Sequence, residues 1–347
     1  MAAVACIATL VGMAGCSTGQ ETPPTTTAPP ATSDTGAAPA TTDTGAAPVL
    51  LYYIQKQGDQ QYFVDQAKGA QDEATTLGNV TVKVVNVSLD ANKAISEVDA
   101  AIANKTQGII LVAPDQAIGP QVADKTTAAG IPLMASDDTL LDSNGNELPF
   151  TGFDGTQMGE SVAQKAAELY QAAGWTKDDT KIMAITKLDL TVCMQRTDGA
   201  AAKFKSIVGD ANTPDIVTVG TNADVQSAID KAGATLTANQ DVKHWVVWGC
   251  NDESETGAVT ALQNAGVSPD NIIGVGLGAY LTCKDWAAGT NSGNKAALYI
   301  SGADVGASAV KAMVDFIRNG VPLPPKTIAP THMVDATNYV QEGVVCT

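Results

Sequence analysis

Residues 49–87 read VLLYYIQKQGDQQYFVDQAKGAQDEATTLGNVTVKVVNV. Val49 to Ile54 is a short, nearly continuous apolar run, as expected of a strand buried on both faces. Residues 60–77 then carry helical patterning, with Phe63, Ala67, Ala70, Ala74 and Leu77 on one side. Thr81 to Val87 is β-branched and strand-like. One such strand–helix–strand unit sets the expectation for the rest of the body. The pattern predicts helices at 91–104 and 116–129 and strands at 108–112 and 131–135. After residue 153 the rhythm resumes. Helices are expected at 158–172, 196–208, 226–237, 255–265 and 305–319, with strands at 181–186, 215–219, 244–248, 272–277 and 296–300. Val321-Pro322-Leu323-Pro324-Pro325 stops the last helix. Repeated βα predicts an α/β fold of two similar doubly wound parallel-sheet lobes.

The whole chain of 347 residues is long enough for about two domains. It is 44% hydrophobic and 16% charged, so it can bury a core. Its 37 acidic and 20 basic residues give a net charge of −17, which argues against a nucleic-acid partner. Only two histidines exist, His244 and His332, so a His-rich metal or catalytic site is not expected.

Residues 1–48 differ from the body. The apolar run at 2–15 is shorter than the roughly 20 residues a transmembrane helix needs, and fits the core of a secretory signal. It ends in Met13-Ala14-Gly15-Cys16, which resembles a bacterial lipobox, so Cys16 is the expected lipidation site and 1–16 the signal. No Lys or Arg precedes the run, a departure from that pattern. Residues 17–48 are rich in Thr, Ala and Pro, with DTGAAP at 34–39 and again at 43–48. Such composition predicts a disordered tether. The two Asp-Thr-Gly triplets superficially match aspartic proteases but lack the buried strands such a dyad needs. The charge divides into −3 before residue 49 and −14 after it. An exported body tethered by a lipid is the expectation, on the outer face of the cytoplasmic membrane.

In open α/β sheets, loops after the carboxyl ends of strands build the site. That rule singles out Lys56 and Gln57, Asp137 and Asp138, and Asn251 and Asp252; Arg196 opens the helix after Thr186. The two aspartates suit a ligand's hydroxyls, a metal or catalysis, and equally a helix cap. Neighbouring strand-end side chains diverge, which disfavours a facing glycosidase pair. Tyr62 and Phe63 offer the apolar face on which a sugar ring stacks while its hydroxyls meet charged planar groups. Gly274, Gly276 and Gly278 in GVGLG do not form a dinucleotide fingerprint; they read as a strand that needs close backbone approach. No Walker A or G-x-S-x-G sequence occurs, and no cofactor is expected. Cys193, Cys250, Cys283 and Cys346 of the body allow three full pairings. The shared position of Cys193 and Cys250 past strand ends favours 193–250 with 283–346. Zinc is disfavoured by the absence of CxxC spacing.

KQGDQQYF at 56–63, ASDD at 135–138, MAITKLDL…RTDG at 183–199, VKHWVVWGCND at 242–252, NIIGVGLGAY at 271–280 and VPLPPK at 321–326 together resemble the L-arabinose-binding protein branch of the type I periplasmic sugar-binding proteins. That resemblance implies lobes of 49–153 with 304–327, and of 154–303 with 328–347, joined by a three-segment hinge. It implies a monomeric, non-enzymatic receptor that closes on a monosaccharide and delivers it to the permease of an ABC importer. Lys56, Asp137, Asp138, Arg196 and Asn251 match the family's sugar-contacting residues in type, and Phe63 its aromatic position. Tyr62 stands where the family has Trp, Phe153 where it has Met, Gln60 where it has Glu, and Gly278 where it has Asn. Leu190, in the 190–193 stretch, and Cys250 stand where the usual side chains of that wall differ. The loss of an amide at 278 puts arabinose itself in question and leaves another pentose, a hexose or an alditol as expected ligands. The rival readings are a receptor feeding a chemosensory partner and an exported glycoside hydrolase.

Overall fold

The structure is a computed structural model and describes residues 46–347. The expected signal, Cys16 and nearly all of the tether lie outside the described residues. Ala46 and Ala47, at the tether's end, offer carbonyls to Asn79 and Arg318.

Two six-stranded sheets form the body. In the first the order is β11 (Lys326–Ile328), β5 (Phe150–Gly152), β4 (Leu133–Ser136), β3 (Gly108–Leu111), β1 (Val49–Gln55), β2 (Val80–Asn86), all parallel. In the second it is β12 (Thr331–Val334), β10 (Asn294–Ile300), β9 (Ile272–Gly278), β8 (His244–Gly249), β6 (Thr180–Thr186), β7 (Asp215–Gly220). Only β12 runs antiparallel to its neighbour. The chain passes between the sheets three times: after β5, after β10, and from β11 to β12.

The buried strands explain the layers. In β1 the period of two puts Tyr52 and Ile54 on one face with α2 (Ala91–Ala103) and α3 (Gly119–Ala129). Leu51 and Tyr53 fall on the other, with α1 (Gln61–Leu77) and α9 (Gly302–Asn319). The second sheet repeats this. Met183 and Val247 meet α6 (Val225–Thr237) and α7 (Asp252–Asn264), while Ile182 and Trp248 share a cluster with α4 (Gly155–Ala172) and α5 (Thr191–Val208). Each large apolar side chain so buried contributes about 1.5–3 kcal/mol.

Four elements escape the sequence reading: β5, β11, β12 and α8 (Cys283–Ala287) are three to five residues long and carry no periodic signal. Helix starts are also corrected: α4 and α9 each begin three residues earlier than expected and α3 three later, and two further shifts bear on the site. α7 begins at Asp252 and α5 at Thr191, so Arg196 lies in the second turn of α5 rather than opening it. β-Branched Thr191 and Val192 disguise that first turn.

The GVGLG glycines do serve close approach. A Cβ on Gly274 would collide with Glu255 Oε1 of α7. Burial pushes the Glu255 carboxyl well above its ordinary value of 4.5, and the nearby Asp252 adds to the shift. The folded chain therefore keeps a proton that the unfolded chain sheds, so stability falls as pH rises from about 4.5 toward that raised value. Glu255→Gln removes this titration. It is expected to melt higher than the parent at pH 7–8 and to show a flatter dependence of melting temperature on pH. An equal slope in the two proteins would refute a protonated Glu255.

Candidate functional site

A cleft of about 790 Å³, counting its open mouth, is lined from both sheets. From the first sheet come Lys56 after β1 and Asp137 and Asp138 after β4, with Gln60, Tyr62 and Phe63 at the start of α1. From the second come Leu190 and Arg196 of the β6–α5 segment and Asn251 after β8. Nine of the twelve expected ligand-contacting residues thus line one space.

The polar groups divide by whether protein already occupies them. Asp137 adopts φ 60°, a left-handed conformation that Asp tolerates better than most residues. Its Oδ1 accepts from Tyr62 and its Oδ2 from Gln66, which in turn accepts from Gln55. Burial raises the Asp137 pKa, and Tyr62 and Gln66 oppose the rise. Asp138 is fully buried and forms an ion pair with Lys56 through Oδ2. Its Oδ1 has no partner. Opposite, Arg196 donates from Nη1 to the Cys250 carbonyl at 2.7 Å, while its Nε has no partner. Burial lowers the Arg196 pKa, Asp138 acts against this, and the guanidinium stays charged. Lys56 and Arg196 balance Asp137 and Asp138, and the third lining cation, Lys187, is paired with Asp189, which suits a neutral ligand.

Several expectations are corrected. Neither aspartate caps a helix: the first turns after β4 are held by Asp138 N to Ser136 O and by the Tyr62 and Lys56 contacts. Asn251 does cap one. Its Oδ1 accepts from Ser254 N and Oγ at the start of α7, and Nδ2 donates to Ala223 O, leaving one amide hydrogen for the cleft. Tyr62 is not simply an apolar wall, since its hydroxyl donates to Asp137. Three residues do not line the cleft. Phe153 sits behind Tyr62, ring centroids 6.4 Å apart. Cys250 is bonded to Cys193 and serves through its carbonyl. Gly278 is covered by Tyr280, whose Cε1 is 2.6 Å from where its Cβ would be. The second disulfide joins Cys283 and Cys346.

Sequence reasoning missed Tyr280, Leu277, Ile300, Asn222, Leu89 and Pro114, all lining the cleft. Each lies at or just past the carboxyl end of β9, β10, β7, β2 or β3, so the strand-end rule applied to every strand would have found them.

Two doubly wound lobes around a cleft of charged and aromatic side chains define a bilobal binding protein. The chain belongs to the periplasmic binding protein domain family, whose match spans residues 51–320. It is 26% identical over 299 residues to an ABC transporter L-arabinose-binding periplasmic protein of Azospirillum brasilense, covering 83% of this chain and 86% of the relative. It is 28% identical over 233 residues to the L-arabinose-binding periplasmic protein of Escherichia coli, covering 65% and 69%. Among solved structures, an ABC transporter solute-binding protein of Agrobacterium vitis bound to α-D-tagatopyranose superposes with TM-score 0.74 at 19% identity, covering 86% of this chain and all of that one.

Proposed function

We propose that this protein is an extracytoplasmic receptor that captures a monosaccharide or alditol between its lobes and presents it to an ABC importer. One observation carries the reading: Asp138 and Arg196, on opposite lobes, line one cleft, and Asp138 Oδ1 and Arg196 Nε are both buried without a protein partner. A hydroxyl both donates and accepts, so a polyol satisfies both atoms at once, where a simple cation or anion satisfies one. Tyr62 and Phe63 give the ring's C–H face an aromatic surface. The relatives' names and the two disulfides, which persist in oxidising compartments, support the same reading. Lipid attachment at Cys16 belongs to this proposal, as does a monomer. Catalysis does not: the two carboxylates share one loop and each is engaged by protein donors, so neither faces the other across a substrate.

Ligand bound to both lobes favours the closed arrangement, which is the form an importer would read. The test is thermal denaturation of the purified protein against a panel of pentoses, hexoses and alditols. At a hundredfold excess over Kd a ligand stabilises by about 2.7 kcal/mol. A rise of about 5 °C or more is expected with at least one of them. Unmoved melting across the whole panel would remove the sugar reading.

A further inference from the structure

The order of strands in the second sheet sorts the cleft wall by polarity. Next to one another, β9 and β10 end in Leu277, Tyr280 and Ile300. Further along, β8, β6 and β7 lead to Asn251, Arg196 and Asn222. The unpartnered Nε of Arg196 lies on the second side. The second sheet's hydrogen-bonding groups thus lie on one flank, among Leu190 and Val192, and the other flank is formed by Leu277, Tyr280 and Ile300.

Tyr280 dominates the apolar flank, and the chain is built to hold it there. Gly278 has φ 140°, and a side chain on it would collide with the Tyr280 ring and with Asp252. Ala279 follows at φ 72°, which a residue with a Cβ adopts only when its surroundings enforce it. Asp252 accepts from Leu281 N and from Thr282 N and Oγ1, fixing the turn from beneath. The Tyr280 hydroxyl is engaged by protein: it donates to the Glu253 carboxylate at 2.8 and 2.9 Å. It also accepts from Gln60 Nε2 of the other lobe at 3.4 Å. What Tyr280 offers the ligand is ring carbon.

We propose that Tyr280 is the residue that sets ligand size in this cleft, and that the site takes a pentopyranose in preference to the hexopyranose of the same ring stereochemistry. This rests on the sugar reading above. Ring hydroxyls engaged by Asp138, Lys56 and Arg196 turn the remaining edge of the sugar toward β9 and β10. A hydroxymethyl group on that edge would meet the Tyr280 ring and bury a hydroxyl without a partner.

Calorimetric titration of four pairs tests this: D-xylose with D-glucose, D-ribose with D-allose, L-arabinose with D-galactose, and D-lyxose with D-mannose. Each pair differs only by the hydroxymethyl group. In the parent protein, the pair that binds best should favour its pentose by about tenfold or more, the effect of one dry hydroxyl. Tyr280→Ala should shrink that ratio to about threefold or less, by removing the ring that a hydroxymethyl meets. Tyr280→Leu, a milder truncation, should shrink it in the same direction and serves if the alanine variant does not fold. Tyr280→Phe keeps the ring and loses the Glu253 and Gln60 contacts; it should weaken both sugars alike and keep the ratio. A hexose bound as tightly as its pentose, or a ratio unchanged in both truncated variants, overturns the proposal. If no member of any pair binds the parent while an alditol or another sugar of the wider panel does, this inference falls and the sugar reading stands; if nothing in that panel binds, both fall.

Discussion

Arg196→Ala is expected to weaken sugar binding by about 30- to 5,000-fold, the range for removing one partner of a buried, hydrogen-bonded charge. The guanidinium reaches the cleft from the second turn of α5 and is anchored through Nη1 on the Cys250 carbonyl. Its Nε is buried and has no protein partner. A sugar oxygen there gains a charge-assisted hydrogen bond, and truncation also leaves Asp137 and Asp138 balanced by Lys56 alone. Arg196→Lys should not rescue affinity, because a point ammonium cannot both hold Cys250 O and present a second donor in a fixed plane. The unliganded variant should melt within a degree or two of the parent, since Arg196 has only one side-chain hydrogen bond. Calorimetric titration with the tightest sugar of the panel, beside a melting curve without ligand, makes the check. Unchanged affinity would sink the role assigned to Arg196. A large fall in melting temperature without ligand would mean that the residue is structural.

Asp138 provides a contrast. Asp138→Asn loses the same kind of ligand contact but also strips Lys56 of its buried partner. That variant should lose stability as well as affinity. The two results together separate a group held ready for ligand from one that also holds the lobe together.

What is legible in the sequence is what repeats in it. β1, β3, β6 and β8 are short apolar runs between helices of period 3.6, and each is readable from its own residues. β5, β11 and β12 are not, because three or four residues contain no period, and they exist only because a neighbouring strand supplies their ladder. The same division holds in the cleft. Lys56, Asp137, Asp138, Arg196 and Asn251 are polar residues at strand ends and stand out against apolar runs. Tyr280, Leu277 and Ile300 are apolar residues among apolar residues, and only the order of strands in the sheet brings them together. Nor does residue type reveal occupancy. Asp137 and Asp138 are the same residue type, yet one has both oxygens taken by protein and the other keeps one without a partner. The difference comes from Tyr62 and Gln66, one turn apart on α1, whose reach toward β4 depends on how the helix packs. In the sequence Gly278 shows only the side chain it lacks, whereas its consequence is the ring that its lack admits.

Replacing Cys193 and Cys250 together by serine should lower both stability and affinity, by different routes. The bridge closes a chain segment of 57 residues. In the chain-entropy account a loop of that length contributes about 4 kcal/mol. For a body of this size, that corresponds to a fall in melting temperature of about 10 °C. The affinity loss is local. Cys193 lies in the first turn of α5 and Cys250 directly before the cap of α7, so the bridge fixes the ends of β6 and β8 against each other. Arg196 is then one turn from the bridge on one side and hydrogen-bonded to its other end. Without the bridge, α5 and the Cys250 carbonyl move independently, and the guanidinium must be ordered when ligand binds. Immobilising one such side chain costs about 0.5–1.5 kcal/mol, so binding should weaken about two- to twelvefold. The Cys283–Cys346 bridge provides the control. It closes a segment of similar length, 63 residues, and so is expected to lower the melting temperature by a similar amount. It adjoins Tyr280 rather than Arg196: Cys283 N donates to Ala279 O at 3.0 Å, and Thr347 N, directly after Cys346, donates to Tyr280 O at 3.1 Å. Its removal should therefore shift the pentose-to-hexose ratio more than the affinity for the best sugar. Melting curves and titrations of the two double variants side by side would decide the matter. Equal effects on affinity and on ratio would mean that the bridges act only on global stability and have no local part in holding the site.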